Sequence, residues 1–267
     1  MPNQSAAHRP DLVARVFNLN MRDLLDQIRH KKVFGPWLGW VCTIEYQNRG
    51  LPHLHLLVFL RTDNQFLTAD NIDRFISAEL PAADNALGQE LRGIIETTMV
   101  HTHCVAHNGS ALCMQGLDPF SVQTCRKRYP RPFQAETIIN EHGFPTYQRR
   151  DKGQSYTLSV RRGGEDITTI IDNRRVVPYC PYLSPRYKAH INVEVCGSVK
   201  AVKYIHKYIY KGGDRATLML DSEQDEIKQY LHGRYIGPTE GIWRLFEFST
   251  HGEEPPVMHL ALHLPNE

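Results

Sequence analysis

Glu45-Tyr46-Gln47-Asn48-Arg49-Gly50-Leu51-Pro52-His53-Leu54-His55, running on through Leu56-Leu57-Val58-Phe59-Leu60, reads as a β-hairpin. Trp40 to Gln47 and His53 to Leu60 are apolar or alternating runs, and the segment between them carries Gly50 and Pro52. Side chains alternate along a strand, so His53 and His55 share one face while Leu54 points into a core. With Asn48 to Pro52 as the loop, Gln47 lies opposite His53 and Glu45 opposite His55. Two imidazoles and a carboxylate on one face can hold a divalent cation and leave coordination positions open. Gln47 is the reserve ligand should Glu45 point away.

Lys203-Tyr204-Ile205-His206-Lys207-Tyr208-Ile209-Tyr210-Lys211-Gly212-Gly213 follows an apolar strand and ends in a glycine pair suited to a helix C-terminus. At about 100° per residue, Ser198, Val202, Ile205 and Ile209 share the buried face. Tyr204 and Tyr208 stack one turn apart beside it. Lys200, Lys203, Lys207 and Lys211 form the next stripe. Taken alone, this is ordinary packing at the edge of a core.

His101-x2-Cys104-x8-Cys113-x11-Cys125 offers one nitrogen and three sulfur ligands, enough for a closed tetrahedral zinc site. His103 and His107 are alternative ligands, and three buried free thiols are the plainer alternative. Cys42, Cys180 and Cys196 sit in apolar strand contexts and read as core residues. Six cysteines at irregular spacing do not make a disulfide framework in a chain of 267 residues.

With 41% hydrophobic and 22% charged residues, the composition is that of a globular protein of one large or two small domains. No apolar run reaches the roughly 18 residues of a membrane span, and Met1 to Pro10 lacks the apolar core of a secretory signal. Net charge is only +2, but residues 121–215 hold 18 Lys/Arg against 8 Asp/Glu, while residues 216–267 hold 3 against 9. A basic middle with acidic flanks suits a one-sided nucleic-acid surface. Its candidate contacts are Arg126, Lys127, Arg128, Arg149, Arg150, Lys203 and Lys211. Tyr147, Tyr156, Tyr179, Tyr182 and Tyr187 interleave the basic residues as stacking surfaces for unpaired bases or, equally, as sheet formers.

Among the remaining elements, Asp11 to Arg29 is expected to be an amphipathic helix packing Leu12, Val16, Leu19, Leu24 and Ile28 against the sheet. Thr68 to Glu79 is a capped helix. Ser155 to Arg161 and Asp166 to Ile171 form a second hairpin across Gly163-Gly164. Arg174 to Tyr179, Ala189 to Cys196 and Arg215 to Leu220 are strand candidates. Ile227 to Leu231 and Glu240 to Phe248 are short helices.

The combination of Pro52-His53-Leu54-His55 with a later Tyr204-x-x-x-Tyr208 resembles the Rep endonuclease domain, often called the helicase-like domain, of Helitron transposases, which are HUH endonucleases with paired tyrosines. Asp11-Leu12-Val13-Ala14-Arg15-Val16-Phe17, Val177-Pro178-Tyr179, Ala189-His190-Ile191-Asn192-Val193-Glu194 and His263-Leu264-Pro265 extend the resemblance over most of the chain. It implies an α+β fold, a mainly antiparallel sheet flanked by helices, with a zinc-binding insertion. Residues 1–62 would be the first half of the Rep-like domain and carry the metal hairpin. Residues 63–175 would be the insertion with the His/Cys site and the basic strands, residues 176–235 the second half with the tyrosine helix, and 236–267 a C-terminal helix and tail. A similar His/Cys set lies between the two catalytic motifs in Helitron proteins, which favours zinc. The resemblance also implies an apolar strand ahead of the first helix, which this chain begins too late to contain, as a fragment or shortened gene would.

The function implied is cutting and joining of single-stranded DNA. Mg²⁺ or Mn²⁺ on His53, His55 and Glu45 polarises the scissile phosphate, and Tyr204 or Tyr208 attacks, leaving a 5′-phosphotyrosine. Tyrosine ionises at about pH 10, so a neighbouring lysine, Lys207, or the metal must assist. Nuclear residence follows from the resemblance alone. The rivals are a rolling-circle replication initiator, an inactive transposon-derived DNA-binding remnant, and a His-x-His hydrolase on a barrel. The barrel lacks its alternating strand–helix units. No Gly-x4-Gly-Lys-Ser/Thr phosphate loop occurs, so a helicase would have to come from another domain or chain.

Overall fold

The computed structural model describes residues 5–46, 50–61, 68–102, 104, 111, 113–114, 125–141, 143–162, 165–197 and 236–256. In chain order the elements are α1 (Pro10–Arg29), β1 (Trp37–Tyr46), β2 (Pro52–Leu60), α2 (Ala69–Phe75), α3 (Ala86–Thr98), β3 (Ile138–Ile139), β4 (Pro145–Thr146), β5 (Ser155–Arg162), β6 (Glu165–Asp172), α4 (Leu183–Tyr187), α5 (Pro238–Leu245) and β7 (His251–Glu254). The class is α+β, and every strand pairing is antiparallel. Among the described residues the strands form three small sheets, β2-β1-β7, β3-β4 and β5-β6. No described helix is long and apolar enough to cross a membrane. The expected helix bearing Lys203, Tyr204, Lys207, Tyr208 and Lys211, the strand at 215–220, the helix at 227–231 and the His263 segment lie outside the described residues.

The chain divides into two compact units, Met1–Asn64 with Val199–Glu267, and Gln65–Ser198. In the first, the β1–β2 hairpin forms as its sequence dictates. Gly50, in the connection, takes a φ of 73°, a left-handed conformation that glycine reaches without steric penalty. The pairing is offset from the expected one: Tyr46 pairs with Pro52, so Glu45 stands opposite His53 and Thr43 opposite His55. The difference of two residues leaves every side chain on its expected face.

The core of this unit joins Ala14, Ile44 and Trp243, with Phe17, Met21, Tyr46, Leu54 and Phe248 against them. Trp243 is fully buried and meets Phe17 and Phe248 edge-on at 6.0 and 5.0 Å between ring centroids. α1 corrects one expectation. Leu12, Val16 and Leu19 are exposed, while Ala14, Asn18, Gln27 and Ile28 are buried. At about 100° per residue, Leu12, Val16 and Leu19 share one side of the helix, and Ala14, Met21 and Ile28 share nearly the opposite one. Small Ala14 allows the close approach to the hairpin. Trp243→Ala is expected to cost about 3–5 kcal/mol, as large aromatic truncations in cores do. A chemical denaturation midpoint would show it.

The second unit is held by two apolar clusters, Leu80-Ile95-Met99-Val176-Tyr179 and Ile72-Ile76-Ala78-Tyr147. α2 starts where expected, with Thr68 Oγ1 accepting from the Asn71 N–H. The β5–β6 hairpin also forms where expected. α3 is an addition. Asn85 Oδ1 accepts from Gly88 N at 2.9 Å, and a Cβ at Gly88 would sit only 2.3 Å from the Ala82 carbonyl oxygen. Residues 174–179 and 189–196 are not regular strands. A short 3-10 turn spans Asn173–Arg175, and only isolated bridges form at Val176, Tyr179 and Asn192.

Candidate metal centres

Each unit carries one of the expected sites, and among the described residues only the His/Cys set of the second brings three or more ligand atoms within reach of one ion. In the first unit, β1 and β2 set Glu45, His53 and His55 on one face. Glu45 Oε2 lies 3.0 Å from His55 Nε2, and the His53 and His55 rings meet edge-on at 4.7 Å. His55 is partly buried and Glu45 largely open, with side-chain exposures of 28% and 57%. The Glu45–His55 contact is of hydrogen-bond length.

β7 adds to this face. His251 pairs with Thr43 and Glu253 with Val41, so both lie on the side of the sheet that carries Glu45, His53 and His55. His251 Nε2 is 3.4 Å from Glu253 Oε2. Neither residue is legible as part of this face in the sequence, because His-Gly-Glu-Glu is short, polar and remote from the hairpin. Only its pairing with β1 makes it a strand.

In the second unit, the ligand atoms of His101, Cys104, Cys113 and Cys125 all lie within 4.8 Å of one another. This set could hold a metal. His101 is fixed by its backbone, whose N–H donates to the Arg175 carbonyl at 2.9 Å, and by its ring, which stacks on Tyr129 at 4.5 Å. Cys113 and Cys125 are brought together by the Arg126 N–H donating to the Cys113 carbonyl at 2.9 Å. Arg175 reaches over the cluster, its Nη1 3.3 Å from the His101 carbonyl oxygen and 3.9 Å from Cys104 Sγ. Burial pushes the Cys104 thiol up and the Cys113 thiol up to about 12. Burial also opposes ionisation of Cys125, but the backbone N–H groups of Tyr129 and Lys127, together with the Cys104 and Cys113 thiols, outweigh it and hold that thiol below its ordinary value. Three such thiols so close together can all ionise only with a cation among them.

The remaining thiols divide: Cys42 and Cys180 are buried as expected, whereas Cys196 is exposed. Arg126, Lys127 and Arg128 are exposed directly after Cys125. Arg149 is placed differently from the expected DNA-facing position. It is 5% exposed, and its Nη1 donates to the carbonyls of Ala78, Asn173 and Val176 at 3.2, 2.8 and 2.6 Å. It ties three loops together from inside. Arg150 faces outward and grips Glu79, with Nη2 2.6 Å from Oε2. Tyr147 and Tyr179 are core residues whose hydroxyls are engaged, by the Val195 N–H at 2.8 Å and the Glu79 carbonyl at 3.0 Å. Tyr182 is exposed.

A family comparison bears on the first of these centres. Residues 1–58 match the model of the Helitron helicase-like domain at N-terminus. The segment similar to that domain contains α1, β1 and most of β2, with Glu45, His53 and His55 inside it. No curated protein matches the chain.

Proposed function

We propose that this protein is the strand-cutting and strand-joining endonuclease of a Helitron-type rolling-circle transposon, of the HUH type. The observation that carries the reading is the placement of Glu45 within 3.0 Å of His55, beside His53, on one sheet face inside the Helitron-related segment. His53, His55 and Glu45 would hold Mg²⁺ or Mn²⁺, which supplies Lewis-acid polarisation of a phosphate oxygen when bound. The phenol oxygen of Tyr204 or Tyr208 attacks phosphorus. A tyrosine O–P bond forms, the P–O3′ bond breaks, and the departing 3′ oxygen takes up a proton to become a free hydroxyl. Lys207, in its neutral form, is the base that accepts the phenol proton. The phosphodiester energy is kept in the phosphotyrosine, so a 3′-hydroxyl can reverse the step and join strands. Zinc on His101, Cys104, Cys113 and Cys125 is structural in this reading. Arg126, Lys127 and Arg128 meet the phosphate backbone, and unwinding falls to a helicase on another domain or chain.

On the helix that the sequence leads one to expect, two tyrosines about one turn apart would let one hold a cut 5′ end while the other engages a second strand. Labelled single-stranded oligonucleotides incubated with the protein and Mn²⁺ should give an adduct that survives denaturation. Peptide mass should map it to Tyr204 or Tyr208, with Tyr208 favoured for the first cut by its flanking Lys207 and Lys211. Either single Tyr→Phe change should reduce strand transfer, and the double change should remove the adduct. A linkage at Tyr210, or an adduct that persists in the double variant, refutes the assignment.

A further inference from the structure

An open cleft of about 420 Å³ in the first unit is walled by Arg15, Asn18, Leu19, Arg22, Phe246 and Phe248. At about 100° per residue, its four α1 residues span roughly a quarter to a third of the helix circumference, between the buried face and the exposed Leu12–Val16–Leu19 stripe. Arg15 and Arg22 are both exposed, and two turns, about 10.5 Å along the axis, separate them. Elsewhere along α1, Arg9 is neutralised by Asp11 and Arg29 by Glu254. The two arginines facing the cleft have no carboxylate partner among the described residues. The Arg15 guanidinium lies 4.7 Å from the Phe246 ring centroid, and Phe246 and Phe248 adjoin at 5.4 Å. Asn18, only 6% exposed, sets a carboxamide into the wall between the arginines.

We propose that this cleft takes one nucleotide of a single-stranded nucleic acid. The base lies against the Phe246 and Arg15 surfaces, its edge meets the Asn18 carboxamide, and the flanking phosphates pair with Arg15 and Arg22. The volume falls in the range of small-ligand sites, about 300–1,000 Å³, which suits a base and its sugar better than a whole protein helix. Aromatic and guanidinium planes stack on any base, and a carboxamide can both donate to and accept from a base edge. Two arginines with no carboxylate partner among the described residues favour an anionic ligand. The inference rests on the reading of the substrate as single-stranded DNA, but it places a contact away from the metal hairpin.

The test is fluorescence anisotropy of the full chain with labelled oligothymidylate, and with an abasic strand of equal length, in buffer without added divalent metal so that no cutting occurs. Arg15→Gln/Arg22→Gln should weaken oligothymidylate binding at least tenfold. It should also flatten the salt dependence of log K by about 1.4, the contribution of two phosphate contacts on a single strand. Phe246→Leu should weaken oligothymidylate about tenfold and leave the abasic strand unchanged, because stacking on one base is worth about that much. Both arginines are exposed, so the charge variant decides the question even if Phe246→Leu misfolds. Wild-type affinity and salt slope in the arginine variant overturn the proposal, as does equal wild-type affinity for the two strands. The endonuclease reading fails separately: a wild-type chain that forms no adduct with any oligonucleotide, yet loses binding in the cleft variants, sinks that reading and keeps this one.

Discussion

His53→Ala and His55→Ala are each expected to lower strand cleavage and adduct formation by about three orders of magnitude, equivalent to about 4 kcal/mol of transition-state stabilisation. Single-strand binding should be nearly unchanged. The two effects separate because they arise from different groups. The histidines occupy a compact face with Glu45, and imidazole nitrogens beside a carboxylate suit a divalent cation rather than a phosphate backbone. In the proposed function, affinity for the strand is expected instead from cations and aromatic planes elsewhere. Glu45→Gln keeps the shape of the site and one carbonyl ligand but removes the negative charge, so its loss should be smaller and partly recovered at higher Mn²⁺. Gel-resolved cleavage beside anisotropy on the same preparations reads both quantities. Undiminished cleavage in either histidine variant removes the metal role from this face. Parallel loss of binding and cleavage would mean that the histidines hold the strand and not the ion.

How far the sequence reveals this site depends on the periodicity of each element. Along a strand the side-chain period is two, so an offset of two residues in the pairing register left Glu45, His53 and His55 on one face; an offset of one would have dispersed them. A helix is less forgiving. Leu12, Val16 and Leu19 look like the buried stripe of α1, but Ala14 on the other side is the residue at zero exposure. The face that packs is set by what the partner can approach, and a small residue permits closer contact than a leucine. Gly88 and Gly93 dilute the helical signal of α3, and it forms because Asn85 caps it and Ile94 and Ile95 are buried. Interleaved aromatics and arginines were the least readable feature. Tyr147, Tyr179 and Arg149 carry the composition of a DNA surface, yet their polar atoms are used up inside the fold. His251 and Glu253 join the face of the candidate site only through tertiary pairing with β1, which no local pattern encodes.

Removing metal from the His/Cys cluster is expected to have the largest effect on stability. The ligand atoms of His101, Cys104, Cys113 and Cys125 already lie within 4.8 Å of one another, and a tetrahedral zinc with Zn–S bonds of about 2.3 Å needs sulfurs about 3.8 Å apart. Little rearrangement separates the two. Structural zinc in small domains contributes about 10–16 kcal/mol of apparent binding energy at neutral pH, more than the stability of a typical domain. Among the described residues, the thiol cluster packs only Ala111, Met114 and Tyr129 around it, too small an apolar core to replace that energy. Elemental analysis should therefore find about one tightly held zinc per chain, and Cys104→Ser, Cys113→Ser and Cys125→Ser should each lose it. Chelation should lower the melting temperature of the Gln65–Ser198 unit and open the segment around Cys113 to proteolysis before it affects cleavage chemistry, since four protein ligands leave no position for substrate. Acid should mimic the chelator: protons compete for the thiolates that the metal needs, so zinc is retained at neutral pH and released as pH falls. Zinc-free protein that melts at the same temperature as the native preparation would show that the four residues are only a buried cluster of thiols beside an imidazole.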